Sequence, residues 1–263
     1  MDNRKDCKRS LQKMKLKTII NILIGLLLIN VLSSLTYSQT SEIIVKGDTY
    51  FKLMRYKDAI AWYKLDSNKA EAQWKIARAY VCYGDNALAA EKEINFRRAV
   101  EAAKKCIAIE ETNGNGHTWL AAALGNTAMY EGSKTKVRLC NQIKVELTRA
   151  ITLNPKDDIA YSIFGSFYRE IGHISWIEKQ LALAFIGKIP EGTYEDSEKA
   201  FAKATALAPT IMRHWYELGL LYKYWGKNGQ AVVAFNKAKA CPVLISSDNN
   251  RVAAISIFLK GVQ

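Results

Sequence analysis

A chain of 263 residues with 49% apolar and 24% charged side chains has material for a large core, which excludes disorder throughout. Four prolines and fifteen glycines, against abundant Ala, Leu, Lys and Glu, exclude a turn-rich β architecture and point to an all-α fold. The formal charge is +13, but residues 1–38 supply +5 of it and the remaining charges alternate in sign along helices, so no nucleic-acid-binding face is indicated.

The first element is a leader. The basic stretch "NRKDCKRSLQKMKLK" precedes the uncharged run "TIINILIGLLLINVL", and "SSLTYSQT" follows it. Charge, apolar run and small polar exit, in that order, are the features of a secretory signal peptide, with Thr36 and Ser38 at the −3 and −1 places and Gln39 as the first mature residue. The alternative is an uncleaved signal anchor through residues 18–35, since that run approaches the ~20 residues of a membrane span. Residues 39–263 then form the folded domain, periplasmic or secreted in the first case and membrane-tethered in the second.

A repeat runs through that domain. "WYELGLLYKYWGKNGQAVVAFNKA" spaces Trp215, Leu218, Gly219, Tyr222, Gly226, Ala231, Phe235 and Ala238 as W-x2-L-G-x2-Y, a glycine, then A-x3-F-x2-A. That is the tetratricopeptide (TPR) pattern, a helix–turn–helix of about 34 residues in which small residues allow two helices to approach and aromatics fill the space around the crossing. In chain order, weaker copies come first: Gly47, Tyr50, Ala59 and Tyr63, then Ile76, Ala77, Tyr80 and Gly84. "TWLAAALGNTAMYEG" is helical and rich in small residues, with a register fixed only to within a residue. Leu147, Ala150 and Pro155 then close one unit, and Tyr161, Phe164, Gly165, Tyr168 and Gly172 open the next.

Two insertions interrupt the period. About ten residues are added near "NALAAEKEIN", judged against the usual repeat length. In the unit opened by Gly165, the matching Phe201 comes twenty residues later than the period requires, and "HISWIEKQLALAFIGKIPEGT" reads as an extra amphipathic helix. After Pro242, "SSDNNRVAAISIFLK" is expected to form a terminal helix, capped by Ser247 or Asp248, with Val252, Ile255 and Phe258 on the last repeat. The fold expected is an all-α, TPR-like, right-handed helical-repeat solenoid with inserted helices and a C-terminal capping helix.

Reaction chemistry has no candidate. His117, His173 and His214 are dispersed, without HExxH or similar spacing, and read as turn or surface residues. Cys82, Cys106, Cys140 and Cys241 form no CxxC pair; small buried thiols are expected, although export would permit a disulfide in any of three pairings. "GSKT" at Gly132–Thr135 resembles the end of a phosphate loop but lacks the earlier glycine and the preceding strand. No catalytic residue, metal or cofactor is expected, and the chain is read as a non-enzyme.

A TPR stack instead offers a groove lined by the first helix of each unit. The register of Ala77, Gly165 and Gly219 puts Trp74, Arg78, Ser162, Arg169, Arg213, Tyr216 and Lys223 there. Guanidinium groups beside rings suit a protein or peptide partner with carboxylates, either an acidic stretch or a chain terminus. The plainer alternative is a solvated basic face.

Longer-range order adds a resemblance. Trp119, Tyr130-Glu131-Gly132, Lys134, Lys136, Ala150, Leu153-Asn154-Pro155-Lys156-Asp157, Trp176, Pro190 and Thr193-Tyr194-Glu195 follow one another as in the regulator of microtubule dynamics family of TPR-like proteins. The resemblance spans residues 45–260, both insertions included. It implies an α-helical domain acting through protein association, in a family some of whose members carry membrane anchors and join organelles. Microtubule binding is not carried over, because an exported chain does not meet tubulin.

Overall fold

A computed structural model describes residues 42–174, 179–180, 183–184 and 190–261. The leader, Trp176 and most of the second insertion lie outside the described residues. The chain divides after Val45 into two units, so that helix α1 (42–52) begins in one and ends in the other. All later helices belong to the second unit.

Helices α2 (Tyr56–Lys64), α3 (Ala70–Asn86), α4 (Ala89–Ile109), α5 (Gly114–Glu131), α6 (Ser133–Leu153), α7 (Asp158–His173), α8 (Tyr194–Leu207), α9 (Met212–Tyr224), α10 (Asn228–Lys239) and α11 (Ser247–Gly261) follow in order. No strand occurs among the described residues. Local chemistry sets several boundaries. Asp157 caps α7 by accepting the Ala160 N–H at 2.9 Å, and its other oxygen takes the Thr118 hydroxyl at 2.6 Å, tying the start of α7 to α5. A Thr193–Asp196 capping box opens α8. Gly132 (φ 91°) and Gly226 (φ 76°) make the sharp turns after α5 and α9, in backbone conformations that favour glycine.

Four hairpins close on the same device, a glycine of the first helix under an aromatic ring of the second; α6 carries no aromatic, and the α5–α6 pair closes without it. A Cβ at Gly219 would lie 2.6 Å from the Phe235 ring, one at Gly165 2.7 Å from Phe201, and one at Gly84 2.6 Å from Phe96; Gly47 and Tyr63 meet in the same way. The first insertion proves to be added helix. It lengthens α3 and α4 to 17 and 21 residues and brings Gly84 under Phe96, seven residues beyond Ala77, where the sequence register placed the crossing. The segment from Thr118, whose register the sequence left open, belongs to α5, which pairs with α6 as a full hairpin; Cys106 of α4 meets Gly116 where its Cβ would be 2.9 Å from the sulfur.

Every helix from α2 onward packs on its successor. A second set of contacts joins first helices only: α3 to α5, α5 to α7, α7 to α9, α9 to α11, and α11 back to α3. The expected helical-repeat stack with a terminal capping helix is found, with one further contact. α11 packs Ile255, Val252 and Phe258 on Met212, Phe235 and Ala238, as a terminal helix should, but its start also reaches the second repeat and closes a ring. Helices α4, α6, α8 and α10 form the layer outside it.

Candidate functional site: the inner face of the ring

Residues three or four apart share a helix face, so α3 lines the ring with Lys75, Arg78, Cys82 and Asp85. Lys75 is buried and pairs with Asp48 at 2.5 Å, while Arg78 reaches Asp48 at 3.3 Å and stacks over Phe51 and Trp74. Burial alone would raise the Asp48 carboxyl, but hydrogen bonds from Lys75 and Tyr63 and the Lys75 and Arg78 charges hold it below the usual carboxylate range.

As the penultimate residue of α3, Asp85 accepts the Asn126 amide at 2.9 Å and lies within the fields of Arg213 and Arg251 from across the ring. Burial outweighs those charges and pushes its carboxyl up. Burial also pushes the neighbouring Cys82 thiol up to about 12. From α7, Arg169 is buried and gives Nη1 to Glu217 Oε2 at 2.7 Å, and Ser166 adds its hydroxyl at 3.3 Å. Burial would raise Glu217, yet the Arg169 and Arg213 charges, the Arg169 hydrogen bond and Arg251 together hold it below the usual range. Arg251 is itself spent on Asp248 (2.7 Å) and the Ser247 hydroxyl (2.9 Å).

Arg213 differs from these. Its Nε is buried without an acceptor, as are those of Arg78 and Arg169, but unlike them it enters no ion pair among the described residues. The other groove residues divide as follows. Trp74 is half-buried beneath Lys75 and Arg78. The Ser162 hydroxyl is fully buried and unpartnered. Tyr216 lies against Phe235 and Arg251, and the exposed Lys223 sits over Phe258. All seven stand on first helices, and Arg213 is the guanidinium of this set that is outside any ion pair among the described residues, its charge acting on Asp85 and Glu217. Sequence reasoning missed Asp48, Asp85, Glu217 and Arg251. A basic face attracts carboxylates from other repeats, but spacing within one helix gives no sign of partners 48 residues away, as with Arg169 and Glu217.

The expectation of turn or surface histidines holds for His173, exposed at the end of α7, and is corrected for the other two. His117 is buried, bonded to Glu146 Oε2 (2.7 Å) and the Glu111 carbonyl (2.9 Å); His214 is fully buried and meets Asp158 at 2.8 Å across the α7–α9 joint. His214 fastens adjacent repeats, and His117 fastens the two helices of one hairpin to the turn before it. The four described cysteines are free thiols, three of them buried. Among the described residues no cluster could hold a metal, and no helix is long and apolar enough to cross a membrane.

The family profile described as "Regulator of microtubule dynamics protein 1-3" matches residues 39–262. The chain is 26% identical to regulator of microtubule dynamics protein 1 of Mus musculus over 235 residues, 86% of this chain and 73% of that protein. It is 28% identical to regulator of microtubule dynamics protein 2 of Homo sapiens over 183 residues, 69% of this chain and 45% of that protein. Among solved structures, a thermophilic TPR protein of Thermus thermophilus superposes with a TM-score of 0.60 at 18% identity, over 84% of this chain and 99% of that one.

Proposed function

Because the chain belongs to the regulator of microtubule dynamics family, we propose that it is a non-enzymatic adaptor that takes a carboxylate-bearing segment of another protein at the inner face of its ring. The carrying observation is Arg213, which enters no ion pair among the described residues, whereas Arg78, Arg169 and Arg251 of the same face each hold a carboxylate. A half-buried guanidinium gains more from a bidentate carboxylate than one in open water. Trp74 and Tyr216 supply ring surface on the same face. No microtubule role is needed for this reading.

The leader completes the proposal. Residues 1–38 direct export and are removed before Gln39, so the adaptor acts in the periplasm or outside the cell. In the alternative, residues 18–35 stay as an anchor, and the insertion around Trp176 lies against the membrane. Mass spectrometry of the native N-terminus separates them: a first residue Gln39 supports export, and an intact leader supports the anchor.

The adaptor reading is tested by affinity capture from the native host with wild type and Arg213→Glu. Loss of the captured partner from the variant, with unchanged circular dichroism, is expected; equal recovery overturns the reading. Arg169→Glu is unsuitable, since it would bury a second carboxylate against Glu217 and unfold the site.

A further inference from the structure

Two different kinds of contact hold α11. Toward α9 and α10 it is anchored by Val252, Ile255, Phe258 and Leu259 on an apolar cluster. Toward α2 and α3 its start is held by hydrogen bonds: Asn86 Nδ2 donates to Ser246 Oγ (2.7 Å), Asn250 Nδ2 donates to Asn86 Oδ1 (3.1 Å), and the Ser246 N–H donates to the Tyr56 hydroxyl (2.9 Å). Asn86 and Asn250 are exposed, so water replaces their bonds at little net cost, whereas the apolar anchor cannot be released so cheaply.

Behind this seam lie the residues on which the adaptor reading rests. Asp85 adjoins Asn86, Arg251 adjoins Asn250, and the charges of both arginines, 213 and 251, act on Asp85 and Cys82. We propose that the α3–α11 seam is a gate: the start of α11 swings away from Asn86 and Tyr56 about its apolar anchor, and a partner segment reaches Arg213 through the opening. This inference rests on the adaptor reading for its purpose but not for its test. The segment Cys241–Ser246 joins α10 to α11 outside any helix, and its middle, Pro242–Leu244, is exposed, which leaves the chain free to follow the motion.

The test uses the full chain with Asn86→Cys and Asn250→Cys, oxidised to lock the seam or reduced to release it. Phenylglyoxal reaction at each arginine is followed by mass spectrometry, with the exposed Arg97 as internal reference. Locking is expected to slow labelling of Arg213 about tenfold relative to Arg97, with recovery on reduction, as for a site reached by local opening. Equal rates in the two states overturn the gate. A second variant, Tyr56→Phe combined with Asn86→Ala, tests the seam without the lock: faster labelling of Arg213 is expected, and an unchanged rate overturns the proposal. No partner takes part in this measurement, so its failure is distinguishable from failure of the adaptor reading, which is judged by capture alone.

Discussion

At the scale of single residues the account rests on glycines that have no room for a side chain. Gly219→Ala must push Phe235 aside and is expected to destabilise by about 1–3 kcal/mol, the usual range for overpacking. Gly229→Ala, in the first turn of α10 with nothing within 4 Å of the added carbon, is expected to stabilise by up to ~1 kcal/mol. Urea denaturation of the two variants should therefore give midpoints on opposite sides of wild type. The inner carboxylates also differ in sign. Glu217, held low, contributes stability that is present above the usual carboxylate range and lost as pH falls through its folded value. Asp85, pushed up by burial, does the reverse: its contribution is full in acid and lost as pH rises through its folded value. Asp85→Asn should accordingly raise the melting temperature near neutral pH, with the gain vanishing in acid; a gain that grows in acid would contradict the assignment. The Gly165 and Gly219 crossings were legible because their period survives in the sequence, whereas the first insertion moved the crossing of the second hairpin from Ala77 to Gly84. Asp85 was not, since its partners stand on other repeats.

At the scale of elements, α11 carries two roles that one amphipathic pattern could not announce. Its apolar face was readable from Val252, Ile255 and Phe258, which recur at helical spacing. Its polar start, Ser246 to Asn250, read only as a cap because nothing local marks Asn86 as its partner 160 residues away. The same limit hid His214 of α9. A single histidine in an apolar helix looks like a surface residue until Asp158 of α7 is seen beside it. Ile255 is fully buried between α11 and the last hairpin, so Ile255→Ala should cost about 2–5 kcal/mol, read from the denaturation midpoint. A loss under half that would mean the helix is not anchored as described.

At the scale of the whole molecule, repeats that bury their faces only against neighbours are joined end to side by a polar seam, and the inner face becomes an enclosed, mostly paired charge network. The repeat pattern announced the stack but not its closure, because closure depends on the curvature summed over every hairpin, insertions included. It also leaves Arg213, alone among the inner guanidinium groups of the described residues, outside any ion pair. The central claim is that the first helices form a ring, and the disulfide between Asn86→Cys and Asn250→Cys measures it most directly. Air oxidation of the double variant should yield an 86–250 linked peptide in most molecules, with each single variant unlinked at that position. Thiols at 86 and 250 that stay free under the same oxidation, in a chain with wild-type helicity, would describe an open superhelix and contradict the ring.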